Sequence, residues 1–204
     1  MEIAILVIGL IFSIIVHEVA HGAMADHLGD PTARLAGRLT LNPLPHIDPI
    51  GSIVLPALSL MTGGFIFGWA RPVPYNPYNL KNPKKDSLKV AAAGPLSNIA
   101  LAILLGLLYK AFLAFGIISG NTPQTTSFFL SLIQLNIVLA IFNLMPIPPL
   151  DGSKIFTPFL PMRTQVFLEQ FGIILVFALI FFGWPIIAKI VSFITGLLFA
   201  LLAI

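Results

Sequence analysis

Apolar residues run through the chain in blocks of bilayer-crossing length, separated by short polar stretches. A helix needs about 20 such residues to cross the hydrocarbon core. Six blocks reach or approach that length: residues 3–25, 50–68, 88–118, 127–145, 166–183 and 185–204. The block at 88–118 would extend roughly 46 Å as one straight helix at about 1.5 Å per residue. It is expected to start in the interface and to bend at Gly94-Pro95. The connections are equally patterned. After the first block, ARLAGRLTLNPLPHIDP alternates with period two over residues 35–41 and then places prolines at 43, 45 and 49, which exclude a regular helix. This predicts a short β-hairpin or looped insertion at the membrane surface. The stretch WARPVPYNPYNLKNPKKDS is the most polar in the chain and predicts an extended interfacial loop, with Trp69, Tyr75 and Tyr78 suited to the headgroup zone. In NLMPIPPLDG, residues 143–152, three prolines end a block immediately before an aspartate. Helical hydrogen bonding must fail there, and freed backbone groups at membrane depth are tolerated only where protein buries them or a wet cavity receives them.

Composition agrees with the pattern. Of 204 residues, 57% are hydrophobic and only 9% charged, with mean hydropathy +0.98, against about 25% charged in soluble domains. The sequence is that of an integral membrane protein, read as one domain over residues 1–204 without an internal repeat. The first block carries polar residues at its far end, so it belongs to the mature protein rather than to a cleaved signal. With no cysteine, any metal must be held by His, Asp or Glu. The net charge of +3 comes from loop Lys and Arg, which orient a protein in the bilayer and meet anionic lipid. Nothing in it points to nucleic acid.

Chemistry is concentrated in IIVHEVAHG, residues 14–22, inside a lipid-length block. His17 and His21 are four apart and share one helix face, as two ligands of one ion require. Glu18, one position after the first histidine, is placed to take a proton from a metal-activated water. An unpaired carboxylate at that depth costs several kcal/mol. The plainer reading, a polar contact between packed helices, usually uses Ser, Thr, Asn or one ionisable residue instead. A catalytic zinc keeps three protein ligands and an open position. Asp151, at the proline-broken junction, is the leading candidate for the third; Asp-Gly-Ser would also cap the following helix. His46 and Asp48, in PHIDP, compete as ligand or supporting partner. His27 is expected to be solvated.

HEVAHG, AGPLSN at residues 93–98 and NLMPIPPLDG together resemble the site-2 protease family of intramembrane zinc metalloproteases, in its compact branch without PDZ or CBS domains. The resemblance covers roughly residues 3–160. It implies one Zn2+ per chain held by His17, His21 and Asp151, with Glu18 as general base. It also implies a place for Asn143 near the substrate carbonyl or its oxyanion. The implied function is hydrolysis of peptide bonds within or near transmembrane segments of membrane-protein substrates. Asn98 is expected to pack helices rather than to act in catalysis.

The site also bears on topology. His17 and His21 lie toward the end of the first block and Asp151 just beyond the block closing at residue 145, so an even number of crossings must separate them. Of the three intervening blocks, 50–68 is interrupted by Pro56 and Gly63-Gly64 and is the one expected to be re-entrant. Five crossings then place Arg34, Arg38, Arg71, Lys81, Lys84, Lys85, Lys89, Lys154 and Arg163 on one side, leaving Lys110 and Lys189 near the other. The expectation is an all-α polytopic protein of five or six transmembrane helices, with a re-entrant segment and a surface β-hairpin. It would lie in a prokaryotic plasma membrane, N-terminus outside and C-terminus cytosolic. The competing functions are a non-catalytic metal or ion transporter, and a membrane scaffold on the same fold.

Overall fold

A computed structural model describes residues 2–54, 70–118 and 123–202. The helices in chain order are α1 (Glu2–His27), α2 (Thr32–Leu35), α3 (Pro83–Ala114), α4 (Pro123–Asn143), α5 (Asp151–Phe156), α6 (Met162–Ala178) and α7 (Trp184–Leu202). Four stretches are long and apolar enough to cross a membrane: Leu6–His27, Pro83–Ala114, Gln124–Asn143 and Met162–Leu202. Their outward faces keep Ile8, Leu107, Phe182 and Phe193 exposed, as a surface solvated by lipid would.

Polar contacts fix the helix directions. Ser13 lies beside Asn98 and His21 beside Val90, so α1 and α3 are antiparallel. Asn136 meets Asn98 and Thr126 meets Tyr109, so α4 is antiparallel to α3 and runs the same way as α1. The ends of α1 and α4 and the start of α3 therefore share one end of the bundle, as the even-crossing requirement demands. Ala102, Ile133, Ile137, Ile187 and Val191 form the buried core between α3, α4 and α7. Helix α3 stays continuous through Pro95.

The blocks at 166–183 and 185–204, expected as two spans, form one helical run. Pro185 has no N–H to give the preceding turn, and a π turn over Leu179–Gly183 shifts the hydrogen-bond ladder just before it. The run begins near the junction after α4, where Gly172 packs on the Pro148 carbonyl. It ends where Lys110 donates to the carbonyl of Leu202, at the far end of the bundle.

Of the two expectations for 35–41 the hairpin does not form, no strand occurring among the described residues, and the segment is looped. Helix α2 ends instead in a Schellman cap: Gly37 takes φ +65°, its N–H donates to Arg34, and the Arg38 N–H donates to Ala33. Alternation in the sequence there belongs to a helix stop followed by an irregular turn. The block expected to be re-entrant lies largely outside the described residues. Its flanks are joined by the Arg71 N–H donating to the His46 carbonyl at 2.9 Å.

Asp30, fully buried, ties the loop after α1 to the segment entering α3. Its carboxylate accepts from the Thr32 N–H and hydroxyl, the Asn76 N–H and the Asn79 amide. Burial pushes the carboxyl up, but the bonds from Thr32, Asn79 and Asn76 outweigh it and hold it below its ordinary value. A carboxyl depressed on folding stabilises above its unfolded pKa, and that contribution is lost as pH falls through the folded value. Asp30→Asn is expected to cost on the order of 1.5–3 kcal/mol at neutral pH, the worth of a charge-assisted bond. Thermal scans in detergent should show the gap to wild type narrowing on acidification; a gap independent of pH would refute this assignment.

Candidate metal centre

His17 and His21 stand one turn apart on the face of α1 that meets α3, and Gly94 is what lets that face come so close. A Cβ on Gly94 would overlap Nε2 of both rings, lying 2.6 Å from that of His17. The first part of AGPLSN thus forms the floor of the site. Asp151 arrives from the other side. Three prolines break the chain after α4, and α5 restarts with Asp151 as its first residue, not its cap: the N-cap is Leu150, with no side-chain capping bond. Gly152 is required behind it, because a Cβ there would overlap the Leu144 and Met145 carbonyls of the broken end.

The result is a nearly equilateral triangle. Asp151 Oδ2 lies 3.1 Å from His17 Nε2 and 3.0 Å from His21 Nε2, and the two Nε2 atoms are 3.1 Å apart. His17 and Asp151 are buried, at 6% and 8% exposure. The hydrogens behind the rings decide what the triangle is. His21 Nδ1 lies 2.6 Å from the main-chain carbonyl of Val90, which can only accept, so that nitrogen carries a proton and, in the neutral ring, Nε2 is a lone pair. His17 Nδ1 stands in the same relation to Asn98 Oδ1, at 2.7 Å. In that neutral form two nitrogen lone pairs and a carboxylate oxygen converge, whereas a protonated ring would instead bond Asp151 Oδ2 through its Nε2–H. A metal ion can take all three of these atoms as ligands at once. Ligands at about 2.0–2.2 Å from a tetrahedral zinc lie about 3.3 Å from one another, close to the edges found. The residues fit zinc, with one side left for a fourth ligand.

Glu18 is partly exposed beside the triangle, and its Oε2 accepts the Val73 N–H at 2.8 Å. Val73 belongs to an extended strap that Arg38 holds from behind by donating to the Arg71 and Pro72 carbonyls at 2.6 and 3.3 Å. Burial and neighbouring Arg71 draw the Arg38 guanidinium below its ordinary value, with Glu18 opposing.

Of the residues singled out in the sequence, His17, His21 and Asp151 are brought together. His46 is not: it is buried, with Nε2 on the Thr40 carbonyl. Asp48 accepts the Ile50 and Gly51 N–H groups and so caps its own turn. Asn143 spends its amide on the Leu139 carbonyl, one turn back. His27 is exposed. Two participants escaped notice. Lys154 lies 3.7 Å from Asp151 Oδ1, a pairing its i, i+3 spacing could have signalled. Val73 acts through its main-chain amide, which leaves no side-chain signature.

Comparison with known proteins agrees with this geometry. The model of peptidase family M50 matches residues 110–184. The chain is 42% identical over 167 residues to "Putative zinc metalloprotease YwhC" of Bacillus subtilis, covering 81% of this chain and 73% of that protein. It is 34% identical over 184 residues to "Putative zinc metalloprotease Rip2" of Mycolicibacterium smegmatis, covering 86% and 66%. A shorter match, 36% over 80 residues and 37% of each chain, is to "Putative zinc metalloprotease MJ0611" of Methanocaldococcus jannaschii. No solved structure matches the chain.

Gly94→Ala tests the floor of the site. It is expected to leave helix content unchanged and to lower bound zinc, measured by elemental analysis of purified protein, from about one per chain to near zero. Full zinc occupancy in this variant would show that the rings do not close on Gly94 as described.

Proposed function

Because the chain belongs to peptidase family M50, the site-2 protease family, we propose that it is an intramembrane zinc metalloendopeptidase acting on transmembrane segments of other proteins. The observation that carries this reading is the convergence of His17 Nε2, His21 Nε2 and Asp151 Oδ2, with the Glu18 carboxylate on the helix that carries both histidines. His17, His21 and Asp151 would hold the zinc. When bound, the ion supplies Lewis acidity, lowering the pKa of a water and polarising a peptide carbonyl.

The chain's own residues do the rest. Glu18 takes the proton of the attacking water and returns it to the leaving amine. The Val73 N–H keeps that carboxylate oriented beside the triangle. Lys154 pairs with the outer oxygen of Asp151, and Oδ2 is the oxygen that faces the two histidines. Asn143 is assigned to the substrate side of the proline junction, where rotation off its own helix would free its amide for a carbonyl oxygen. A transmembrane substrate must unwind locally first, since its helix hydrogen bonds protect its carbonyls. An apolar groove lined by Leu144, Pro146, Ile147, Leu160 and Leu168 opens beside the junction that carries Asp151, giving such a segment an approach from lipid.

The end of the bundle nearer the site is assigned to the cytosol. Arg34, Arg38, Arg71, Lys81, Lys84, Lys85, Lys154 and Arg163 cluster toward it in chain order, while Lys110 sits at the other end beside Leu202. Both the start of α1 and the end of α7 then face outside. This replaces the cytosolic C-terminus expected from five crossings, because two expected spans are one helical run.

Glu18→Gln keeps the shape of the side chain and removes its basicity. Cleavage of single-span substrates by purified protein in detergent is expected to fall by about 10²–10⁴, with zinc content unchanged. Retained cleavage would remove Glu18 as the base, and zinc-dependent ion flux unaffected by the substitution would favour a transporter.

A further inference from the structure

Behind His17 lies a polar cluster that metal ligation alone does not use. Asn98, Asn136 and Ser13, from α3, α4 and α1, are 0%, 0% and 2% exposed at the centre of the helix packing. Each of their hydrogens has one assignable acceptor. The Ser13 hydroxyl donates to the Gly9 carbonyl at 2.8 Å. The Asn136 amide donates to the Leu132 carbonyl at 2.9 Å and to Ser13 Oγ at 3.0 Å. The Asn98 amide donates to the Ser13 carbonyl at 3.3 Å and to Asn136 Oδ1 at 3.0 Å.

The three carbonyls can only accept, so they fix the direction of the whole chain. What remains is one acceptor, Asn98 Oδ1, aimed at His17 Nδ1. We propose that Ser13, Asn136 and Asn98 form a directional hydrogen-bond chain that sets the tautomer of His17, holding the proton on Nδ1 and the Nε2 lone pair toward the ion.

Without this chain the competing state is favoured. A neutral His17 with its proton on Nε2 would donate it to Asp151 Oδ2, only 3.1 Å away, and the site would close on itself. That state leaves Nδ1 as an acceptor facing Asn98 Oδ1 at 2.7 Å. Relief would require the Asn98 amide to flip. The flip gains one bond to Nδ1 and forfeits two, to the Ser13 carbonyl and to Asn136 Oδ1. The more of the chain stands, the better the metal-ready ring is held. These three are positioning residues, and the assignment rests on the reading of His17 as a ligand. It couples the packing of three helices to metal affinity, because each helix contributes one member.

The test uses full-length protein in detergent, labelled with 15N at its four histidines, at a pH where the rings are neutral. Long-range 15N–1H correlations read the His17 tautomer in metal-free protein, and chelator competition reads zinc affinity. Wild type is expected to show the proton on Nδ1. Asn98→Leu is expected to move it to Nε2 and to weaken zinc binding by about 10–100-fold. Asn136→Leu does not touch His17, yet it is expected to give a mixture of tautomers and a smaller loss in the same direction. Ser13→Ala, a minimal change, keeps the test informative if Asn136→Leu does not fold. A purely structural role would lower the melting temperature and leave the His17 tautomer on Nδ1 in every folded variant; that result, or an Nε2 proton in wild type, overturns the proposal. Should wild type show the Nδ1 proton but bind no zinc, the metalloprotease reading fails while the tautomer assignment stands.

Discussion

Three electron-rich atoms meet at 3.0–3.1 Å from one another at the buried junction of α1, α3 and α5, and with both rings neutral and protonated on Nδ1 nothing of their own bonds them. Unshielded, such a meeting is repulsive, and the low dielectric of a membrane interior makes it more so. The fold tolerates it because each atom is turned inward from behind. Val90 takes the outer hydrogen of His21, Asn98 that of His17, and Lys154 the outer oxygen of Asp151. Much of the remaining architecture serves to bring these backing groups into place. The frame of three alternating helices sets Val90 and Asn98 opposite α1, and the proline-broken end of α4 delivers Asp151.

Close helix approach is the second condition, and it depends on small residues. Gly94 admits the two imidazoles, and Gly152 lets α5 restart against the carbonyls it has just left. In lipid there is little hydrophobic gain from pressing helices together, so contact depends on fit and on internal hydrogen bonds. The Asn98–Asn136–Ser13 cluster supplies the latter at the point where the former is tightest.

How much of this could be read from the sequence follows from the range of each interaction. The histidine pair was legible because i, i+4 spacing places both on one face whatever the surroundings, and Asp151 because three prolines forbid the helix from burying it uselessly. Topology around the site followed from the same residues. The alternation at 35–41 misled because a helix stop with Gly37 at positive φ shares its composition with a turn between strands, and the deciding bonds are to the preceding turn. Pro185 looked like a boundary between spans, but a π turn absorbs its missing N–H. The role of Asn98 was hidden for a different reason: what it does depends on Asn136 and Ser13, residues 38 and 85 positions away.

The strap over Glu18 carries one more implication. In Pro72-Val73-Pro74 only the middle residue has an amide hydrogen, and that hydrogen is spent on the carboxylate of Glu18. The tripeptide therefore presents a single donor in an otherwise silent stretch of backbone. It can address the glutamate, but it has no second hydrogen with which to begin a ladder against an extended neighbour. The two requirements at position 73 are therefore separate: the buried side chain must fit against Gly22 of α1, while the bond to Glu18 asks only for an amide hydrogen, which proline alone among the common residues lacks.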